Sequence, residues 1–223
     1  MKPRPTSRAN GVNASRSAVQ KQAGVESHRG PGEIRIIGGQ WRRTRLTVPV
    51  REGLRPTPDR VRETLFNWIG PAVEGARCVD VFAGTGALGL EAASRGAAHV
   101  VLCEQDRGLV QQLQQQVIRL QAQAVVQVVA GDGLQWIKQA ISTNPGAPFD
   151  WVFLDPPFEA QLFEVALQAA AQAISANGMV YLESPMPWQA SQLAPMGLTL
   201  HRHLKAGAVH AHLIKRADAT KIA

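Results

Sequence analysis

The stretch that decides the fold class is Cys78-Val79-Asp80-Val81-Phe82-Ala83-Gly84-Thr85-Gly86-Ala87-Leu88-Gly89. Its apolar start reads as a buried strand over 78–83. Gly84, Gly86 and Gly89 then fit G-x-G-x-x-G at the mouth of a helix that runs up to Arg95. Glycines in such a turn let backbone approach a ligand without interference from a Cβ atom. Glu104 ends the next strand 20 residues after Gly84, where a carboxylate can accept hydrogen bonds from both hydroxyls of a ribose. Strand, glycines, helix and acid together point to a cofactor that carries adenosine. Their positions alone do not separate NAD from other cofactors of that kind.

Downstream, strand and helix patterns alternate. Strands are expected over 99–104, 125–130, 149–154 and 178–183. Leu109, Leu113, Val117 and Leu120 mark one intervening helix, residues 134–141 a second, and Phe163, Ala166, Leu167, Ala170 and Ile174 a third. Such alternation argues for right-handed βαβ units and a parallel sheet. The ending differs, since 198–204 and 208–214 read as two strands joined by a tight turn at Ala206-Gly207. The expected fold class is therefore α/β and Rossmann-like. It has a seven-stranded, mostly parallel sheet with a final antiparallel strand. No internal repeat is present.

Upstream, Ile34, Ile36 and Ile37 lead through Gly38-Gly39 to Trp41, Leu46 and Val48, the pattern of a small hairpin carrying Arg35, Arg42, Arg43 and Arg45. Thr57 stands as an N-cap before Pro58, and Val61, Leu65, Phe66 and Ile69 give the following helix an apolar face that ends at Gly70-Pro71. Residues 1–32 lack apolar periodicity and read as a disordered basic tail. The expected division is thus a tail over 1–32, a hairpin and helix extension over 33–70, the Rossmann-like domain over 71–216 and a C-terminal tail over 217–223.

Charge follows that division. Residues 1–62 hold 14 Lys/Arg against 4 Asp/Glu, a balance of +10, and residues 63–223 hold 10 against 13, a balance of −3. A basic excess confined to one end points to nucleic acid or an anionic surface. No apolar run approaches the roughly 20 residues that cross a bilayer, and the N-terminus lacks the apolar segment of a secretory signal. Cys78 and Cys103 are too few for a disulfide scaffold and read as reduced core thiols of a cytoplasmic protein.

Two further motifs fall at strand ends, where open parallel sheets bind ligands. Asp132, in Gly131-Asp132-Gly133, can accept a hydrogen bond from an adenine amino group, cap the helix that follows, or do both. Asp155-Pro156-Pro157-Phe158 ends the fourth strand. Its two prolines lack N–H donors, so backbone and Asp155 present acceptors only, beside a flat apolar Phe158. That combination suits a planar base carrying an exocyclic amine.

The glycine loop, Glu104, the Gly-Asp-Gly turn, Asp-Pro-Pro-Phe and the antiparallel ending resemble a class I S-adenosylmethionine-dependent methyltransferase. Arg35-Ile36-Ile37-Gly38-Gly39-Gln40-Trp41-Arg42 and the block from Leu54 to Asn67 are similar to the RsmD family, over about 33–216. That family methylates N2 of a guanine in bacterial 16S ribosomal RNA. The resemblance implies S-adenosylmethionine as cofactor, with its methionine part at Asp80, Ala83, Gly84, Thr85 and Gly86. The ribose then falls to Glu104 and the adenine to Gln105, Asp132 and Gly133. Thr57 and Arg60 would close over the methionine end. Asp155, Pro156, Pro157 and Phe158 would handle the target base. It further implies 16S rRNA as partner, within the small ribosomal subunit; a cytoplasmic monomer with no membrane partner is expected.

Arg35, Arg42, Arg43, Arg45, Arg55 and Arg62 are the expected phosphate contacts. His201, His203, His210 and His212 form two H-x-H pairs that would share one hairpin face if the turn centres on Ala206-Gly207; alternating histidines on a solvent face need no metal, and none is expected. Three other readings compete: an adenine-N6 methyltransferase sharing the tetrapeptide, an NAD-dependent oxidoreductase, and a non-enzymatic RNA-binding module. The tetrapeptide and the antiparallel ending argue against the second, and the intact cofactor loop against the third.

Overall fold

The computed structural model describes residues 32–48, 57–157 and 160–217. Strands β1 (Gly32–Arg35) and β2 (Arg45–Val48) pair antiparallel as the expected hairpin. Helix α1 (Asp59–Ile69) follows and ends in a 3₁₀ turn at Gly70–Val73. The chain then alternates: β3 (Arg77–Asp80), α2 (Ala87–Ser94), β4 (His99–Glu104), α3 (Arg107–Arg119), β5 (Val126–Ala130), α4 (Gly133–Thr143), β6 (Phe149–Leu154), α5 (Ala160–Ala173) and β7 (Ile174–Ser184). A short helix α6 (Ala190–Leu193) leads to β8 (Leu198–Ala206) and β9 (Val209–Arg216).

Seven of these strands form one sheet in the order β5-β4-β3-β6-β7-β9-β8. The strands β3 to β7 are mutually parallel, and β9 runs antiparallel to both β7 and β8. The last strand of the chain is therefore the antiparallel one, inserted next to the edge. Connections leave β3 in opposite directions, towards β4 on one side and β6 on the other, so the crevice of the fold opens at its carboxyl end.

Alternation along the strands sends side chains to two cores. Cys78 and Phe153 join α1, α2 and α3 on one face; Val79, Val152 and Leu154 join α4 and α5 on the other. Leu65, Phe66, Leu90 and Phe153, each at most 1% exposed, contribute roughly 2 kcal/mol apiece by burial. Ile36 and Leu46 of the hairpin region lie in the same core as α1 and the sheet, so one apolar cluster runs across residues 70–71.

Four local expectations are revised. Helix α1 has Pro58 at its N-cap with no side-chain cap; the Thr57 hydroxyl is instead buried against Glu183. Ladder pairing at β3 stops at Asp80 rather than Ala83, because Val81 and Ala83 turn to bond the carbonyls of Phe153 and Cys103 singly. Ile174 opens β7 by pairing with Phe149 rather than closing α5, and a register shift follows between Phe149 and Trp151. The β8–β9 turn lies at Gly207-Ala208, since Ala206 pairs with Val209. Among the described residues no helix is long and apolar enough to cross a membrane. Cys78 and Cys103 are free and buried, and burial pushes both thiols up.

Candidate active site

Five acids lie at or just beyond the carboxyl ends of the parallel strands: Glu104 at β4, Asp80 at β3, Asp132 after β5, Asp155 after β6 and Glu183 near the end of β7. Strands about 4.8 Å apart bring such groups around one crevice. The glycine loop sets its floor. Gly86 caps α2 at φ +77°, a left-handed conformation that side chains rarely adopt. At Gly89 a Cβ would fall 2.2 Å from Leu102 Cδ2, so only glycine lets α2 lie this close to the sheet. That approach delivers the Gly89 N–H to Asp80 Oδ2 at 3.1 Å.

Asp80 is 1% exposed, and its Oδ1 has no hydrogen-bond partner among the described residues. Burial pushes its carboxyl up to about 7, the backbone N–H groups of Gly89 and, more weakly, Phe82 oppose this, and the charges of Glu104 and Glu183 add to the rise. A buried oxygen without a donor is costly unless a ligand supplies one. An ammonium group would supply it.

Glu104 accepts the Gly84 N–H at Oε2 (2.9 Å) and the Asp106 N–H at Oε1 (2.8 Å). Each oxygen keeps a further lone pair for a hydroxyl. Asp132 caps α4, and both caps fall on Oδ1, from Leu134 at 2.8 Å and Gln135 at 3.2 Å. Its capping role is thus present, and Oδ2 has no hydrogen bond among the described residues. Gly133 is buried so closely that a Cβ would sit 2.0 Å from the Val81 carbonyl oxygen. Ala83 and Thr85 are buried in the loop, and Gln105 is exposed beside Glu104.

Asp155 is partly buried, Pro156 buried and Pro157 exposed; Phe158 lies outside the described residues. Burial pushes the Asp155 carboxyl well above the usual carboxylate range, and the charges of Glu183 and Asp80 push it further. Glu183 was not among the sequence-derived candidates. It is 3% exposed, accepts the Tyr181 hydroxyl at 2.9 Å, and is also bonded by the Thr57 side chain. Burial raises its carboxyl, while those two bonds and the Arg62 charge lower it. The pairing of Leu154 with Leu182 sets Asp155 beside Glu183. The signal was available: the strand-end rule that singles out Asp80, Glu104 and Asp155 applies equally to Glu183.

The basic residues divide. Arg42 and Arg43 are exposed; Arg35 pairs with Asp59 at 3.8 Å and Arg45 with Glu33 at 3.0 Å, all on the surface. Arg35, Arg42 and Arg43 line one cleft of about 270 Å³ with Asp59 and Glu63. Arg60 is exposed on α1, and Arg55 lies outside the described residues. Arg62 corrects the expectation of a phosphate contact. It is fully buried, donates from Nη2 to Asp59 at 2.6 Å and from Nε to the Thr57 carbonyl at 3.2 Å, and pairs with Glu91. Its i, i+3 and i, i+4 neighbours are core residues, so the apolar face of α1 carries it inward.

The histidines also divide. His203 lies edge to edge with His210 (5.1 Å between ring centroids) and stacks on His212 (4.8 Å), whereas His201 lies in the register shift between Leu200 and Arg202 and joins neither. No group of three or more His, Cys, Asp or Glu among the described residues is placed to hold a metal ion.

Comparison with known proteins gives four findings. Residues 34–215 match the family described as Conserved hypothetical protein 95. Ribosomal RNA small subunit methyltransferase D of Escherichia coli K12 is 43% identical over 192 residues, covering 85% of this chain and 93% of that protein. Among solved structures, the putative methyltransferase yhhF from Escherichia coli superposes with a TM-score of 0.71 at 40% identity, covering 83% of this chain and 99% of that one. A 16S rRNA methyltransferase of T. thermophilus, solved in complex with AdoMet and guanosine, shares the fold at 23% identity and a TM-score of 0.63, covering 84% of this chain and 50% of that one.

Proposed function

Since the chain belongs to the RsmD family, the ribosomal RNA small subunit methyltransferases D, we propose that its crevice moves a methyl group from S-adenosylmethionine to the exocyclic N2 amine of a guanine in 16S rRNA. The observation that carries this reading is the acceptor-only corner at Asp155-Pro156-Pro157, set beside the buried Asp80 whose Oδ1 lacks a donor. The residues present fit the cofactor. Asp80 Oδ1 would accept its ammonium, the remaining lone pairs of Glu104 its ribose hydroxyls, and Asp132 Oδ2 its adenine amine. Bound there, it supplies a methyl already made electrophilic by a sulfonium.

The protein then has to align the amine and exclude water. A guanine N2 lone pair is delocalised into the ring. Acceptors at Asp155 and the Pro156 carbonyl bind both amine hydrogens and favour a pyramidal nitrogen with its lone pair free. Phe158 would stack on a base turned out of its RNA context. After transfer the nitrogen is acidic, so Asp155 need not be a strong base to take up its proton. Thr57 joins the upstream segment to Glu183, and so to the end of the crevice that would take the methionine. The exposed Arg35, Arg42, Arg43 and Arg45 would hold phosphates. The enzyme would act as a cytoplasmic monomer on the small ribosomal subunit.

The test is mass analysis of nucleosides after undermodified small subunits are incubated with the protein and methyl-labelled cofactor. Labelled N2-methylguanosine is the expected product. Labelled N6-methyladenosine in its place, or no label, would overturn the reading.

A further inference from the structure

The crevice chemistry leaves the chain after Ser184 unused. Residues 185–217 contain no Asp or Glu, yet hold Arg202, Lys205, Lys215, Arg216 and four histidines. The −3 balance of residues 63–223 thus conceals a second basic segment. Part of it reaches the rim of the crevice. Asp155 and Glu183 lie side by side, and Ser184, the next residue, pairs with His210. The Ser184 hydroxyl donates to the Met186 carbonyl at 2.7 Å, and the Trp188 N–H donates to His212 Nε2 at 3.1 Å.

Met186 sits on this anchored loop between Pro185 and Pro187, and it is 69% exposed. Prolines fix φ on both sides, which narrows the backbone conformations open to the loop. On the edge strand β8, the exposed His203 lies edge to edge with His210, joined through Nε2···Nδ1 at 2.9 Å, and stacks on the His212 ring opposite it. Lys205 is exposed two residues further along β8, opposite His210. Strand β8 is the sheet edge, so nothing within the sheet covers this side.

We propose that Met186, His203 and Lys205 form a second RNA-contacting surface at the crevice rim, in which Met186 occupies the gap that the turned-out guanine leaves in its base stack. The inference rests on the methyltransferase reading above. A base drawn out of its stack leaves a step open, and apolar side chains, methionine among them, are the groups that wedge into such steps. A rigidly held imidazole offers a flat face for an adjacent base. Lys205 supplies a phosphate contact on a segment that carries no acid of its own. RNA held on this side and by the arginines of the β1–β2 hairpin would be gripped at two separate places.

Full-length Met186→Ser, Met186→Leu and Lys205→Gln proteins, assayed on undermodified small subunits and on naked 16S rRNA, test this. Met186→Ser is expected to lower kcat/KM for the RNA substrate about tenfold or more, with cofactor affinity measured calorimetrically unchanged. Met186→Leu restores it, because an apolar wedge is kept. Lys205→Gln is expected to reduce the slope of log affinity against log salt by about one. Wild-type kcat/KM in Met186→Ser, together with an unchanged salt slope in Lys205→Gln, would overturn the proposal. So would an effect seen on subunits and absent on naked RNA, which would make a ribosomal protein the partner. If wild type itself forms no N2-methylguanosine, the methyltransferase reading fails; if wild type is active and the variants match it, only this surface fails.

Discussion

Arg62 Nη1 lies 3.6 Å from Glu91 Oε2, and neither side chain has any exposure to solvent. Glu91 also accepts the backbone N–H groups of Ile37 (2.7 Å) and Gly38 (2.8 Å) and the Arg95 Nε (2.7 Å). One buried carboxylate therefore ties the basic hairpin region to α2, whose first turn carries the cofactor loop, and Arg62 ties both to Thr57. Charges taken this far out of water are held by their partners, and removing one partner leaves the other uncompensated. Arg62→Met is expected to destabilise the protein by about 3–5 kcal/mol. Urea unfolding would show this as a lower midpoint with an unchanged slope. A midpoint equal to wild type would mean that Glu91 does not need the guanidinium.

Asp80 makes cofactor binding depend on pH. Its carboxyl is pushed up to about 7, and accepting an ammonium requires the ionised form. Below that pH, binding must release a proton, so affinity falls by up to about tenfold per pH unit. Above it the affinity levels off. Calorimetry in two buffers of different ionisation enthalpy should count close to one proton released at acid pH and close to none at alkaline pH. Asp80→Asn should bind more weakly at every pH and lose this dependence. An unchanged proton count in that variant would assign the titration to Asp155 or Glu183, whose carboxyls burial also raises.

Asp155→Ala should separate chemistry from binding. The variant loses the acceptor for the amine and for the proton, and single-turnover methyl transfer is expected to fall by about 100-fold or more. Cofactor affinity should stay within about twofold, because the Asp80 and Glu104 contacts remain. Near-normal transfer would remove Asp155 from the mechanism.

What the sequence disclosed was whatever depends on local periodicity. Strands 99–104 and 149–154 fall where the apolar runs place them, and the glycine spacing locates the loop because each glycine answers a local steric demand at Gly86 or Gly89. Arg62 was misread for a different reason. Its charge suggests the surface, and only the tertiary meeting of α1 with Glu91 of α2 gives that charge a buried partner. Thr57 looks like a cap before Pro58, but its hydroxyl is claimed by Glu183, 126 positions away in the chain. The four histidines divide because the register shift at Leu200–Arg202 takes His201 out of the ladder and away from the face that the other three share. Long-range partnership and strand register are not written in spacing.

His212 sets a stability window of its own. It is fully buried, accepts the Trp188 N–H at Nε2 and lies 3.2 Å from the Leu182 carbonyl through Nδ1, which therefore carries its proton. Both ring nitrogens are engaged by a neutral imidazole, and burial lowers its pKa from the model-peptide value of 6.5 to about 4. A base depressed in this way leaves the unfolded chain to bind more protons between those values. Stability from His212 is thus fully present above pH 6.5 and is lost as pH falls towards 4, by about 3 kcal/mol. The lowered His210 acts in the same direction, and the raised Asp80 acts against both. The informative measurement is therefore the difference between wild type and His212→Gln in unfolding free energy across that range. The variant keeps an acceptor for Trp188 and a donor for Leu182 but cannot titrate, so the wild-type advantage should shrink steadily with falling pH. A difference that stays flat would mean that folded His212 takes up its proton as readily as the unfolded chain does.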